Sequence, residues 1–213
     1  MTTPTRATVL HVQRLSFTYA DQPALVSDWS TSITTGVTLV HGDTGSGKST
    51  LLRLIAGDEA ASAGGLTLAG TRLDDDPVAY RRNVFWCDPA TDTFDRVTAR
   101  ECSASLSAGD TGFVAAAWQA LVDGFALAPH IDKPMYMLST GSKRKVWLAA
   151  ALASGRLLTL LDEPTGGLDA PSIACLTDSL AQLSAHPARA IVVASSERLA
   201  RVPPAGLIEL PLR

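Results

Sequence analysis

The segment Gly42-Asp43-Thr44-Gly45-Ser46-Gly47-Lys48-Ser49 restricts this chain more than any other. It fits the pattern G-x-x-x-x-G-K-[ST], and its flanks agree with it. Gly36–His41 is a short β-branched run, and from Lys48 to Ala56 apolar residues recur at Leu51, Leu52, Leu54 and Ile55 until Gly57 closes the pattern. Strand, glycine loop and helix follow in that order. Such a loop turns successive backbone N–H groups onto phosphate oxygens, and a Cβ at Gly42, Gly45 or Gly47 would obstruct the turn or favour other dihedrals. The first amides of the helix add partial positive charge. Lys48 supplies a full charge for β- and γ-phosphates and Ser49 a hydroxyl for Mg²⁺, with Thr50 beside them on the helix.

Composition excludes several classes. The 213 residues are 46% hydrophobic and 18% charged, enough apolar surface to offset chain entropy, so the chain folds. A net charge of −3 gives no overall positive footprint for nucleic acid, and no nucleic-acid partner is expected. Cys87, Cys102 and Cys175 lie far apart without the spacing of a zinc site or disulfide framework, which reads as free thiols in a reducing cytosol. The first fifteen residues lack the apolar run of a signal peptide, and the most apolar stretch, Val146–Leu161, is interrupted by Ser154-Gly155-Arg156, so no membrane span is expected.

Alternation from Val9 to Tyr19 predicts a strand, followed by a turn at Ala20-Asp21-Gln22-Pro23. Gly64–Leu73 reads as a hairpin turning at Gly70, and Asn83–Trp86 as a brief strand. From Thr98 to Ala128 alanine, tryptophan and leucine recur at helical spacing, broken at Gly109–Gly112, which predicts an inserted pair of helices. Helices are expected over Gly141–Ala153 and Pro171–Ala185, and buried strands over Arg156–Leu161 and Ala190–Ala194. That alternation implies a parallel sheet covered by helices.

The apolar run Leu157–Leu161 ends in Asp162-Glu163. Ligands of open α/β sheets bind beyond the carboxyl ends of the strands, where the phosphate loop also lies. There Asp162 can hold Mg²⁺ through water while Glu163 faces an attacking water.

Together these residues resemble the ATP-binding subunit of an ABC transporter, in order over nearly the whole chain. Leu138-Ser139-Thr140-Gly141-Ser142 resembles the family signature Leu-Ser-Gly-Gly-Gln, placed just before a helix and after the helical insert. Tyr19 matches the aromatic that stacks on adenine, and Gly167-Leu168-Asp169 the loop that crosses a dimer interface. The resemblance implies a single domain over 1–213. Its fold would be α/β, a P-loop NTPase core with a mainly parallel sheet, an N-terminal antiparallel β subdomain and a helical subdomain inserted at about 98–140. It implies ATP and Mg²⁺ as ligands, and a head-to-tail dimer in which Ser139, Thr140 and Gly141 close on the partner's nucleotide. It also implies membrane-spanning permease subunits on separate chains, docked at about Phe85–Thr98, and a cytoplasmic location at the inner face of the membrane.

The chain departs from the family pattern at three places. Phe85-Trp86-Cys87-Asp88-Pro89 puts Cys87 or Asp88 where the family has a glutamine. Ser196 stands at the place of the switch histidine, where serine is short and carries no charge. Thr140 and Ser142 replace a glycine and the glutamine of the signature. These losses predict slow hydrolysis with Glu163 and Ser196 at the reacting end, because one missing positioning group commonly costs about ten- to a thousandfold in rate. An alternative is a regulatory, hydrolysis-deficient partner of another ATPase subunit, so homodimer and heterodimer both stay open. A small P-loop kinase would need an acceptor pocket and lid arginines. Lys143-Arg144-Lys145 reads as a solvated basic face, and the four histidines show no metal-ligand spacing.

Overall fold

The computed structural model describes residues 6–20, 22–199 and 201–212. Asp21 of the expected turn and the first five residues of the amino-terminal stretch lie outside them. Two sheets make the framework. An antiparallel one takes the order β2-β1-β4-β5, with β1 Thr8–Phe17, β2 Val26–Thr34, β4 Ala63–Leu68 and β5 Thr71–Arg72. The other takes the order β6-β7-β8-β3-β9, with β3 Gly36–His41, β6 Val84–Phe85, β7 Leu158–Asp162, β8 Ala190–Ser195 and β9 Gly206–Glu209. All of its pairings are parallel.

The fully buried strands alternate between two apolar cores, as a sheet covered on both faces requires. Val37, Leu39, Leu161, Ile191 and Val193 face α3 (Ala99–Leu106), α4 (Ala115–Gly124), α5 (Thr140–Ala153) and α6 (Ala170–Leu183). Val40, Leu158, Leu160, Val192 and Ala194 face α1 (Lys48–Ala56) and, beyond it, Leu10, Val12, Leu15 and Leu68 of the antiparallel sheet. The phosphate-loop helix is thus packed between two sheets, with Leu51, Leu52, Leu54 and Ile55 buried. Gly57 ends it in the left-handed region at φ 77°, and its amide bonds back to the last turn.

Register brings three loops to one edge. His41 of β3 pairs with Ser195 of β8, and Asp162 of β7 with Ala194, so the chain leaves the sheet side by side after residues 41, 162 and 195. The expected helical insert is present as α3 and α4. Thr98 and Glu101 form a reciprocal cap at the start of α3, and both helices pack on α5. At the far end of α5 the buried Arg189 guanidinium donates to the carbonyls of Ala151 and Leu152 and to the Thr159 hydroxyl. It thereby satisfies carbonyls that a helix end leaves free. Three elements depart from expectation: β2, β9 and the short α2 (Pro77–Arg82) occupy stretches read as unassigned.

Candidate functional site

The loop after β3 folds as the glycines demand. Gly45 and Gly47 lie at φ 81° and 96°, outside the range of most L side chains, and a Cβ on Gly42 would stand 2.6 Å from the Ser46 hydroxyl. No side chain caps α1 at Gly47, so the amides of its first turn remain available to the loop. Lys48 is buried, and its ammonium group bridges the cradle. It donates to the carbonyls of Gly42 at 2.8 Å and Asp43 at 3.0 Å and meets Glu163 Oε1 at 3.1 Å. The cation that could take phosphate oxygens is therefore anchored inside the loop and paired with the carboxylate at the end of β7.

Glu163 lies at φ 40°, an uncommon setting for a non-glycine residue. Its carboxylate also accepts from the Ser196 backbone N–H at 3.1 Å. The loops after β7 and β8 are thus joined through Glu163, and the Ser196 side chain is exposed beside it. Asp162 is half-buried. Burial pushes its carboxyl up from the ordinary carboxylate range, the Ser49 hydroxyl opposes that shift, and Glu163 and Asp88 add to it. Its Oδ1 is buried without a hydrogen-bond partner among the described residues, and so is the Ser46 hydroxyl. An orphaned carboxylate oxygen next to a serine hydroxyl suits a hard divalent cation. No group of three or more His, Cys, Asp and Glu side chains gathers for a metal among the described residues. A cation here would rest on Ser49, Asp162 and phosphate oxygens.

Tyr19 stands at the rim, 37% exposed. Its hydroxyl shares a 3.0 Å hydrogen bond with Thr50 of α1, and its ring makes a T-shaped contact with Phe17. At the position between core and insert, Asp88 pairs with Arg53 of α1 at 2.9 Å, while the Cys87 thiol is pushed up to about 12 by burial. Sequence reading placed Asp88 here but missed Arg53, whose signal was an arginine four residues after Ser49 on the same helix face.

Ser139 caps α5, accepting from the Ser142 N–H at 3.1 Å, with Thr140 and Gly141 opening the helix. The expected basic face is a set of tethers instead. Lys143 pairs with Asp95, Arg144 donates to the Gly166 carbonyl, and Lys145 pairs with Asp169 at 2.8 Å. Asp169 also caps α6 through the Ser172 N–H, and the Lys145 contact holds its carboxyl below the usual range. The signature-like turn is therefore fixed to the loop that follows Glu163. A Cβ on Gly141 would overlap the Gly167 carbonyl oxygen.

A glycine cradle on a buried lysine, two carboxylates at the neighbouring strand end and a parallel sheet beneath them define a P-loop nucleotide-binding protein. Residues 26–166 match the family model described as ABC transporter. The cytochrome c biogenesis ATP-binding export protein CcmA of Rhodospirillum rubrum is 36% identical over 175 residues, 82% of this chain and 74% of that protein. A solved ATP binding subunit of an ABC transporter superposes with a TM-score of 0.75 at 26% identity, covering 88% of this chain and 79% of that one. The cbiO1 protein of Clostridium perfringens, part of the cbiONQ transporter complex, shares the fold with a TM-score of 0.66 at 22% identity over 90% of this chain and 79% of its own. The chain belongs to the ABC transporter family as an ATP-binding subunit, and the family hydrolyses ATP.

Proposed function

We propose that the chain binds Mg-ATP in the cradle of Gly42–Ser49, hydrolyses it slowly, and through that cycle drives permease subunits on separate chains. The observation that carries this reading is the Asp162 oxygen beside Ser49, without a hydrogen-bond partner among the described residues, at the foot of a loop whose lysine is already set among carbonyls. The amides of Gly45, Gly47 and the first helical turn hold phosphate oxygens, Lys48 neutralises the β- and γ-phosphates, and Tyr19 with Thr50 borders the base. Ser49 and Asp162 would hold Mg²⁺, which would supply neutralisation of the triphosphate charge. Glu163 turns from Lys48 to orient water once a phosphate occupies the lysine.

Ser139, Thr140 and Gly141 lie on a helix start that suits an anion, and they close over the nucleotide of a second ATPase subunit, with Asp169 at the same face. Support for a membrane partner comes from relatives: one is named an export protein and another is part of a transporter complex. No helix among the described residues is long and apolar enough to cross a membrane.

The slow rate follows from Ser196. Its backbone reaches Glu163, but its hydroxyl has neither the length nor the charge to hold the γ-phosphate and water in line. Steady-state phosphate release with Mg-ATP tests this. Ser196→His is expected to raise turnover at least about tenfold. Fast wild-type turnover left unchanged by Ser196→Ala would contradict the reading.

A further inference from the structure

Away from the phosphate loop, an apolar cavity of about 150 Å³ lies against the edge of the parallel sheet. Its floor is the helical face of β3 and β9. There Leu39 and Leu207 are register partners, and Val37 stands two residues back on the same face. Its wall is the chain between β8 and β9, which contributes Leu199, Val202 and Pro204. Val37, Leu39 and Val202 are buried, whereas Leu207 is 45% exposed and marks the mouth.

The wall is held off the floor by its own backbone. Pro203 and Pro204 have a fixed φ and no N–H, and Pro203 keeps Val202 out of helical dihedrals. The Ala205 N–H then pins the end of the segment to the Val37 carbonyl at 2.6 Å. Close-packed interiors leave few voids larger than a water, and an apolar cavity of this size stays dry and accepts a molecule about as large as benzene.

Arg198 sets the chemistry of the mouth. Among the described residues it is the one charged side chain on the cavity wall, and it is 70% exposed. Its contact with Glu209 Oε1 is 3.7 Å long, beyond hydrogen-bond distance and between two exposed groups. Such a contact contributes little, so the planar fork of donors can be taken by a carboxylate arriving from solvent. Arg198 also lies on the loop that carries Ser196, two residues from the N–H that Glu163 accepts.

We propose that the cavity is a second ligand site, distinct from the nucleotide cradle, for a small monocarboxylate with an apolar body of about six carbons. The body fills the space over Leu39 and Leu207, and the carboxylate meets Arg198 at the mouth. The proposal does not depend on nucleotide binding.

The test uses the whole chain with labelled leucine and valine methyl groups, followed by NMR during titration with phenylacetate. The Val37, Leu39 and Leu207 methyls are expected to shift saturably, with a dissociation constant on the order of 0.1–1 mM for a ligand of about ten non-hydrogen atoms. Arg198→Gln, on an exposed side chain, is expected to weaken phenylacetate about five- to thirtyfold and to leave toluene uptake unchanged. Leu207→Trp puts an indole into the cavity and is expected to abolish uptake of both probes. Leu199→Phe fills the same space from the wall and gives the same loss where Leu207→Trp does not fold. Phenylacetate that leaves those three methyls unshifted would overturn the site. Equal phenylacetate affinity in Arg198→Gln, or tighter binding of benzylammonium than of phenylacetate, would overturn the assignment to a carboxylate.

Discussion

Glu163→Gln should bind the triphosphate more tightly than the wild type, for a reason separate from blocked hydrolysis. Lys48 is shared between the carbonyls of Gly42 and Asp43 and the Glu163 carboxylate, so a γ-phosphate must compete with that carboxylate. At 3.1 Å, an effective dielectric of about 20 gives a gross attraction of about 5 kcal/mol. Water screens much of it, because the Glu163 side chain is 37% exposed although Lys48 is only 6% exposed. The net competition is then about 1–2 kcal/mol, or roughly five- to thirtyfold in affinity. The amide keeps the size of the carboxylate and can still accept the Ser196 N–H, so the loops after β7 and β8 stay joined. Calorimetric titration with a non-hydrolysable Mg-ATP analogue, at protein concentrations below self-association, measures the effect. The gain should be smaller with Mg-ADP, which lacks the competing γ-phosphate. Equal or weaker analogue binding by Glu163→Gln would refute the competition.

Two further outcomes follow from local geometry. Gly141→Ala should destabilise the fold by about 1–3 kcal/mol, because its Cβ meets the Gly167 carbonyl across a backbone contact that has little room to relax; a urea midpoint equal to wild type would show that the loop yields. Burial raises the Cys87 and Cys102 thiols from 9.0 to about 12, so between pH 7 and 9 both should react at least about a hundredfold slower than a free cysteine, the rate climbing only as pH approaches the raised values. Timed alkylation with mass-spectrometric site assignment reads this directly, and rapid labelling of either residue at pH 8 would contradict it.

Residue order displayed the parts of the site that repeat a local chemical pattern. The glycine cradle, its helix and its closing Gly57 depend on neighbours within a few positions, and α1 runs over Lys48–Ala56 as its apolar spacing requires. The strand ending in Asp162-Glu163 was visible because a run buried on both faces is continuously apolar. β2 was not, because Val26-Ser27-Asp28-Trp29-Ser30-Thr31-Ser32 is mostly polar and owes its strand to hydrogen bonds with β1. β9 adds to the far side of β3 and carries only a short alternation that tertiary pairing completes. The tethers of Lys143, Arg144 and Lys145 were illegible for a similar reason. A basic triplet on a helix normally points to water, and Asp95, Gly166 and Asp169 reach it only after the chain has folded. Arg53 and Asp88, thirty-five positions apart, are another pair that only the packed fold brings together.

Calorimetric titration of the wild type and Lys48→Ala with ATP, in the presence and absence of Mg²⁺, tests the central claim most directly. The cradle predicts saturable, magnesium-dependent uptake by the wild type and a loss of about ten- to a hundredfold or more on removal of a charge-assisted donor. No uptake by the wild type, or the same affinity in Lys48→Ala, would contradict it.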